Sequence, residues 1–116
     1  MSWEEEFVEK IAQIKGVEEV VIADLSGNFI DGNGDSSAEE FAAVLSYVSQ
    51  VANNVGGLLG LEESKFIGIN SKKNKFIISI FDDYLCGVRI EPNAIQNKIK
   101  LKMNSIMNQV IEYQDY

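Results

Sequence analysis

Two short runs of this chain are apolar on every side. Phe76-Ile77-Ile78-Ser79-Ile80-Phe81 and Val20-Val21-Ile22-Ala23 read as strands, yet neither alternates apolar with polar residues. A strand with one wet face alternates, because successive side chains point to opposite sides of the sheet. Strands without that alternation need cover on both faces. The chain therefore has to place cover above and below a sheet.

Three helical segments are available to do this. Ser2 and Glu5 form a capping box, and Trp3, Phe7, Ile11 and Ile14 follow at helical spacing until Lys15-Gly16. Ser37 and Glu40 form a second capping box. The helix after it runs to Gly56-Gly57, and its apolar stripe is Phe41, Val44, Leu45, Val48, Val51, Ala52 and Val55. Pro92 and Asn93 open a third, carrying Ile95, Ile99, Met103, Ile106 and Val110, with Leu101, Met107 and Ile111 widening the stripe.

The strands fall between these helices. Val17 to Asp24 is the first. Leu25-Ser26-Gly27-Asn28 turns it into a short return at Phe29-Ile30, and a loop follows at 31–35. Lys65 to Asn70, Lys75 to Phe81 and Tyr84 to Ile90 form an antiparallel meander, with turns at Ser71 to Asn74 and at Asp82-Asp83. The order is αββαβββα. It predicts an α+β fold: a five-stranded antiparallel sheet with helices on both faces, in one domain spanning residues 1–116.

Charge limits what such a domain can bind. The net charge is −8, and residues 1–61 carry eleven acids against two lysines. That half should repel nucleic acid and anionic lipid and favour a basic partner surface. No apolar run approaches the length of a membrane helix, about 20 residues. The acidic start, Met1-Ser2-Trp3-Glu4-Glu5-Glu6, does not read as a signal or transit peptide. A cytoplasmic location is the default expectation.

Catalytic and metal chemistry has little to work with. There is no histidine and one cysteine, so the commonest general base and the usual zinc sites are missing. Cys86, inside the last strand, reads as a small core residue. Gly32-Asn33-Gly34 lacks the third glycine of a dinucleotide loop. Asp31, Asn33 and Asp35 lack the glycine and glutamate that complete a calcium loop. Arg89, the only arginine, lies inside a strand and reads as structural rather than as an arginine finger. The expectation is a non-enzyme without cofactor or metal.

The central helix carries a different signal. Nothing between Phe41 and Glu62 is charged, although a solvated helix face normally carries Lys and Glu. Opposite the apolar stripe runs a row of small residues, Ala42, Ser46, Ser49 and Asn53, where a second helix could approach closely. Alongside it lie Ala43, Tyr47, Gln50 and Asn54, with Tyr47 as an aromatic of the type that anchors interfaces.

Several motifs together resemble the Roadblock/dynein light-chain family, whose fold is close to profilin. They are Gly16-Val17, Val20 to Asp24 with Ser26-Gly27, Ala42-Ala43, Leu59-Gly60-Leu61, and Asp82 to Val88. Glu18 departs from the pattern, standing where a small residue is common, and the long C-terminal extension of some members is absent. The resemblance implies a dimer in which the central helix and third strand meet their counterparts, here Ala42, Ser46, Ser49 and Asn53 with Phe66, Gly68 and Asn70. It also implies a partner, a small Ras-like GTPase such as the gliding-motility type. That partner would sit against Asp35, Glu39, Glu40, Ala43, Tyr47, Gln50 and Asn54. The competing expectation is a profilin-like ligand-sensing module or a general interaction scaffold.

Overall fold

The computed structural model describes residues 2–33, 38–58, 66–70, 75–81 and 83–114. Eight elements follow in order: α1 (Trp3–Ala12), β1 (Val17–Asp24), β2 (Phe29–Gly32), α2 (Ala38–Leu58), β3 (Phe66–Asn70), β4 (Lys75–Phe81), β5 (Tyr84–Ile90) and α3 (Gln96–Gln114). The strands form one sheet in the order β2-β1-β5-β4-β3, and every neighbouring pair is antiparallel.

The doubly apolar strands do lie at the centre, covered on both faces. On one face, Val20, Ile22, Ile77, Cys86, Val88 and Ile90 pack under α1 and α3, which contribute Phe7, Ile11, Ile99, Met103 and Met107. On the other, Val21, Ala23, Ile78 and Leu85 pack under α2, the one described helix on that face, through Ala42 and Leu45. Alternate residues of β1 feed the two cores in turn: Val20 and Ile22 go to one, Val21 and Ala23 to the other.

Local chemistry sets the ends of these elements. Ser2 is the N-cap of α1, its Oγ accepting the Glu5 N–H at 3.2 Å. The helix closes at Ala12, a turn earlier than the Lys15-Gly16 signal suggests. Gly16 then takes φ +97°, which reverses the chain into β1. Gly27 at φ +89° makes the β1–β2 turn, and Asp24 holds it by accepting the backbone N–H groups of Ser26 and Asn28, each at 2.9 Å. β2 runs on to Gly32, two residues beyond Phe29-Ile30. After it the Asn33 side chain continues the ladder, its Oδ1 accepting the Val20 N–H at 2.7 Å while its own N–H donates to the Val20 carbonyl at 3.1 Å. α2 runs through Gly56-Gly57 to Leu58 rather than stopping there. The turn expected at 71–74, Asp82 and the cap Ser37 lie outside the described residues.

Candidate functional site: the outer face of α2 and the β3 edge

α2 packs on the sheet through a different side from the one its pattern suggests. Ala42, Leu45, Ser46 and Ser49 are buried. Val44, Val51 and Tyr47, by contrast, are 51%, 44% and 71% exposed. Ala42, Ser46 and Ser49 of the small-residue row are therefore not opposite the core; they face the sheet and the β1–β2 hairpin.

Three contacts explain this orientation. Leu45 seats over Gly87 of β5, where any Cβ would fall within the Leu45 side chain. The Ser46 Oγ donates to the Leu25 carbonyl at 2.9 Å and accepts from Gln50 Nε2 at 3.3 Å. At Gly27 a Cβ would come within 3.3 Å of the Ala43 Cα, so the turn lies directly on the helix. Small residues here bring α2 close to its own sheet and hairpin. A long charged residue at Ser49 would thus disturb the fold itself.

The opposite flank of α2 leans toward β4 and β3. Phe41 packs on Phe76, with ring centroids 5.5 Å apart. Phe41 and Val48 join Ile67 and Ile69 at the margin of this core. Val44, Val48 and Val51, at steps of four and three, continue that flank outward into solvent. Single exposed apolar residues are ordinary, but from Phe41 onward α2 carries no charge, and Val44 and Val51 stand exposed on the same side of it. Ala43, Gln50 and Asn54 are exposed as well.

β3 borders this flank and is a sheet edge, as its place in the meander leads one to expect. Of its residues, Phe66, Gly68 and Asn70 point to the α3 side. Phe66 packs against that core, Gly68 lies against the Gln96 amide, and the Asn70 Oδ1 accepts from Gln96 Nε2. Ile67 and Ile69 are the half-buried residues on the α2 side. Their strand alternation was available in the sequence and identifies them, with Val44, Val48 and Val51, as members of the surface that the motif reading missed. Glu39, Glu40 and Asn53 have their backbone in α2 with side chains outside the description, and Asp35 lies outside the described residues.

Several polar groups elsewhere are committed to structure. Arg89 Nη1 pairs with Glu18 Oε2 at 2.6 Å and Nη2 lies 3.6 Å from Glu19 Oε2. A register shift between Val17 and Glu19 breaks the regular β1–β5 pairing at this point. Glu18 is thus matched by the single arginine. The Asp31 Oδ1 accepts its neighbour Gly32 N–H at 2.8 Å, so Asp31 and Asn33 both serve the backbone. Burial pushes the Cys86 thiol up to about 12. A thiol held that far above neutrality stays protonated and is no nucleophile. Among the described residues no group of three or more Asp, Glu, Cys or His converges as metal ligands. None of the described helices is long and apolar enough to cross a membrane.

The fold and this surface together define a Roadblock-type domain. The Roadblock/LC7 domain family matches residues 4–88, and the chain belongs to that family. No curated protein matches it by sequence. Among solved structures, a Roadblock/LC7 domain from Streptomyces avermitilis superposes with a TM-score of 0.85 at 16% identity, covering 96% of this chain and 97% of that one. The gliding protein MglB from Thermus thermophilus gives 0.81 at 12% identity, covering 93% and 85%. Profilin from Schizosaccharomyces pombe gives 0.71 at 10% identity, covering 97% and 98%, in keeping with a profilin-like sheet and helix arrangement.

Proposed function

We propose that the chain is a non-catalytic dimeric adaptor or regulator of a small Ras-like GTPase. The observation that carries this is the α2 face free of charge from Phe41 onward, where Val44 and Val51 stand open and the half-buried Val48 joins them to the core beside the β3 edge. In this reading two copies join about a two-fold axis. Their β3 edges pair into one continuous sheet of about ten strands, twice that of the protomer. The valine rows of the two α2 helices then cover each other, with Ile67 and Ile69 beside them. Edge pairing satisfies backbone groups that would otherwise be left to water, and the valines supply the apolar burial.

The partner surface is the other flank of α2: Ala43, Tyr47, Gln50 and Asn54, with Glu39, Glu40 and Asp35 toward its start. Leu25, 46% exposed on the hairpin turn that lies against Ala43, extends it. Tyr47 offers a large rigid side chain with a polar tip, and the acidic residues would speed encounter with a basic surface. The family membership, and the likeness of the fold to a gliding protein, favour a Ras-like GTPase as the occupant. No acid/base constellation accompanies this surface among the described residues, so the chain would act on the GTPase by holding or reshaping it.

The test is a titration of wild type and Tyr47→Ala against the Ras-like GTPase of the same cell, in both nucleotide states. Tyr47→Ala should weaken binding by more than about 1 kcal/mol, because an aromatic anchor is lost. Binding should also weaken as salt rises. Equal affinity of the two proteins would move the site off this helix, and no binding in either nucleotide state would remove the GTPase from the account.

A further inference from the structure

A second surface lies on the opposite face of the sheet from α2 and stays open whatever α2 binds. Where α1 ends and α3 begins, the chain leaves a groove of about 450 Å³. Its floor is apolar, formed by Ile14, Gly16 and Ile95, and Lys15, Lys98 and Lys102 stand around it. Ile95 is 56% exposed, and all three lysines are exposed. This is a concentration of positive charge on a chain with ten basic residues and a net charge of −8. Glu91 is the one acid on the lining.

The groove is a fixed feature. The Gly16 carbonyl accepts the Glu91 N–H at 2.8 Å, tying the end of α1 to the end of β5. Gly16 has positive φ, and a Cβ there would lie 3.0 Å from Ala94 Cβ, so only glycine lets the two segments approach this closely. The N-terminal end of α3 borders the groove, and the first turn of that helix carries no acid, leaving the positive end of its dipole uncompensated by side chains.

We propose that this groove docks an acidic linear segment of another protein, with one aliphatic or aromatic side chain on the apolar floor and carboxylates among Lys15, Lys98 and Lys102. Charge complementarity selects the occupant. Lysine ammonium groups are point charges on flexible stems, suited to the scattered carboxylates of an extended peptide rather than to one rigid anion. The groove has the volume of a side-chain pocket, within the roughly 300–1,000 Å³ range of ligand sites, but lacks the converging buried polar groups that orient a small molecule. Anionic lipid and nucleic acid would meet the same lysines, but both present a broad charged surface to a protein whose first 61 residues carry eleven acids. A single peptide strand can bring its carboxylates into a concave site that a flat membrane or a duplex cannot enter.

The test is fluorescence anisotropy with a labelled decapeptide of alternating glutamate and leucine. It should bind, and its affinity should fall at least about five-fold between roughly 50 and 300 mM salt. Counterparts with lysine for glutamate, or serine for leucine, should not bind comparably. Lys98→Glu with Lys102→Glu should weaken binding by about ten-fold or more, since each reversal turns an attraction into a repulsion. Both sites are exposed and lie in the first half of α3, so thermal melting should be retained. Ile95→Ser should weaken the leucine peptide while leaving its salt dependence in place. Wild-type affinity in the lysine double variant would overturn the proposal. So would equal binding of the lysine counterpart, tighter co-sedimentation with phosphatidylserine vesicles than with neutral ones, or a change in the oligomeric mass of the double variant, which would make the groove a contact between copies. These outcomes are independent of GTPase binding, which uses the other face.

Discussion

Cys86 reports how completely the inner strands are enclosed. It has no exposed surface, pairs with Ile22 of β1 and Ser79 of β4, and holds its proton up to about pH 12. In the unfolded chain the thiol titrates near about 8.5. Between those values the unfolded state releases a proton that the folded state keeps, so stability must fall as pH rises above about 8.5, with a slope of up to about 1.4 kcal/mol per unit. Urea unfolding at several alkaline pH values should show this slope in wild type and a shallower one in Cys86→Ala. Asp24 acts with the opposite sign. The backbone N–H of Asn28, then its side chain, hold the carboxyl below the ordinary aspartate range. Its contribution is present above about pH 4, the unfolded value, and is lost as pH falls through the lower folded value. Asp24→Asn should therefore flatten the acid limb of the stability curve while leaving the alkaline limb unchanged.

At the scale of the element, α2 depends on close approach. Gly87 gives Leu45 its seat, and Ser46 ties the helix to the hairpin. Gly87→Ala should cost about 1–3 kcal/mol by forcing Leu45 or the whole helix outward, read as a lower urea midpoint. Ser46→Ala should cost about 1 kcal/mol, since it leaves the Leu25 carbonyl without its hydroxyl donor. The same helix marks where the sequence could be read and where it could not. The bounds of β1, β4 and β5, the element order and the edge position of β3 follow from turn residues and apolar runs, which are local signals. The facing of α2 does not. An apolar stripe normally shows which side is buried, but here Val44 and Val51 are left open, while Leu45 seats on Gly87 and Ser46 turns inward toward the hairpin at Gly27. Both glycines stand far from α2 in the sequence, so no local pattern reveals them. A similar limit applies to α3, where Leu101 shares the apolar periodicity yet is 71% exposed.

On the scale of the whole molecule, the two faces of the sheet are unequally covered. α1 and α3 close one face, with Trp3 set edge-on to Tyr84 at 4.8 Å between ring centroids. Among the described residues α2 alone covers the other, and beside it the sheet ends at β3. At the far side the edge strand β2 is only four residues long, a length that discourages pairing with another chain. In the proposed dimer, growth runs through β3 and the valine flank of α2. Sedimentation equilibrium at micromolar concentration, on wild type and on Val44→Glu with Val51→Glu, tests this most directly. The account predicts twice the chain mass for wild type and a folded monomer, by circular dichroism, for the double variant. A wild-type monomer, or a double variant that remains a dimer of unchanged affinity, would contradict it.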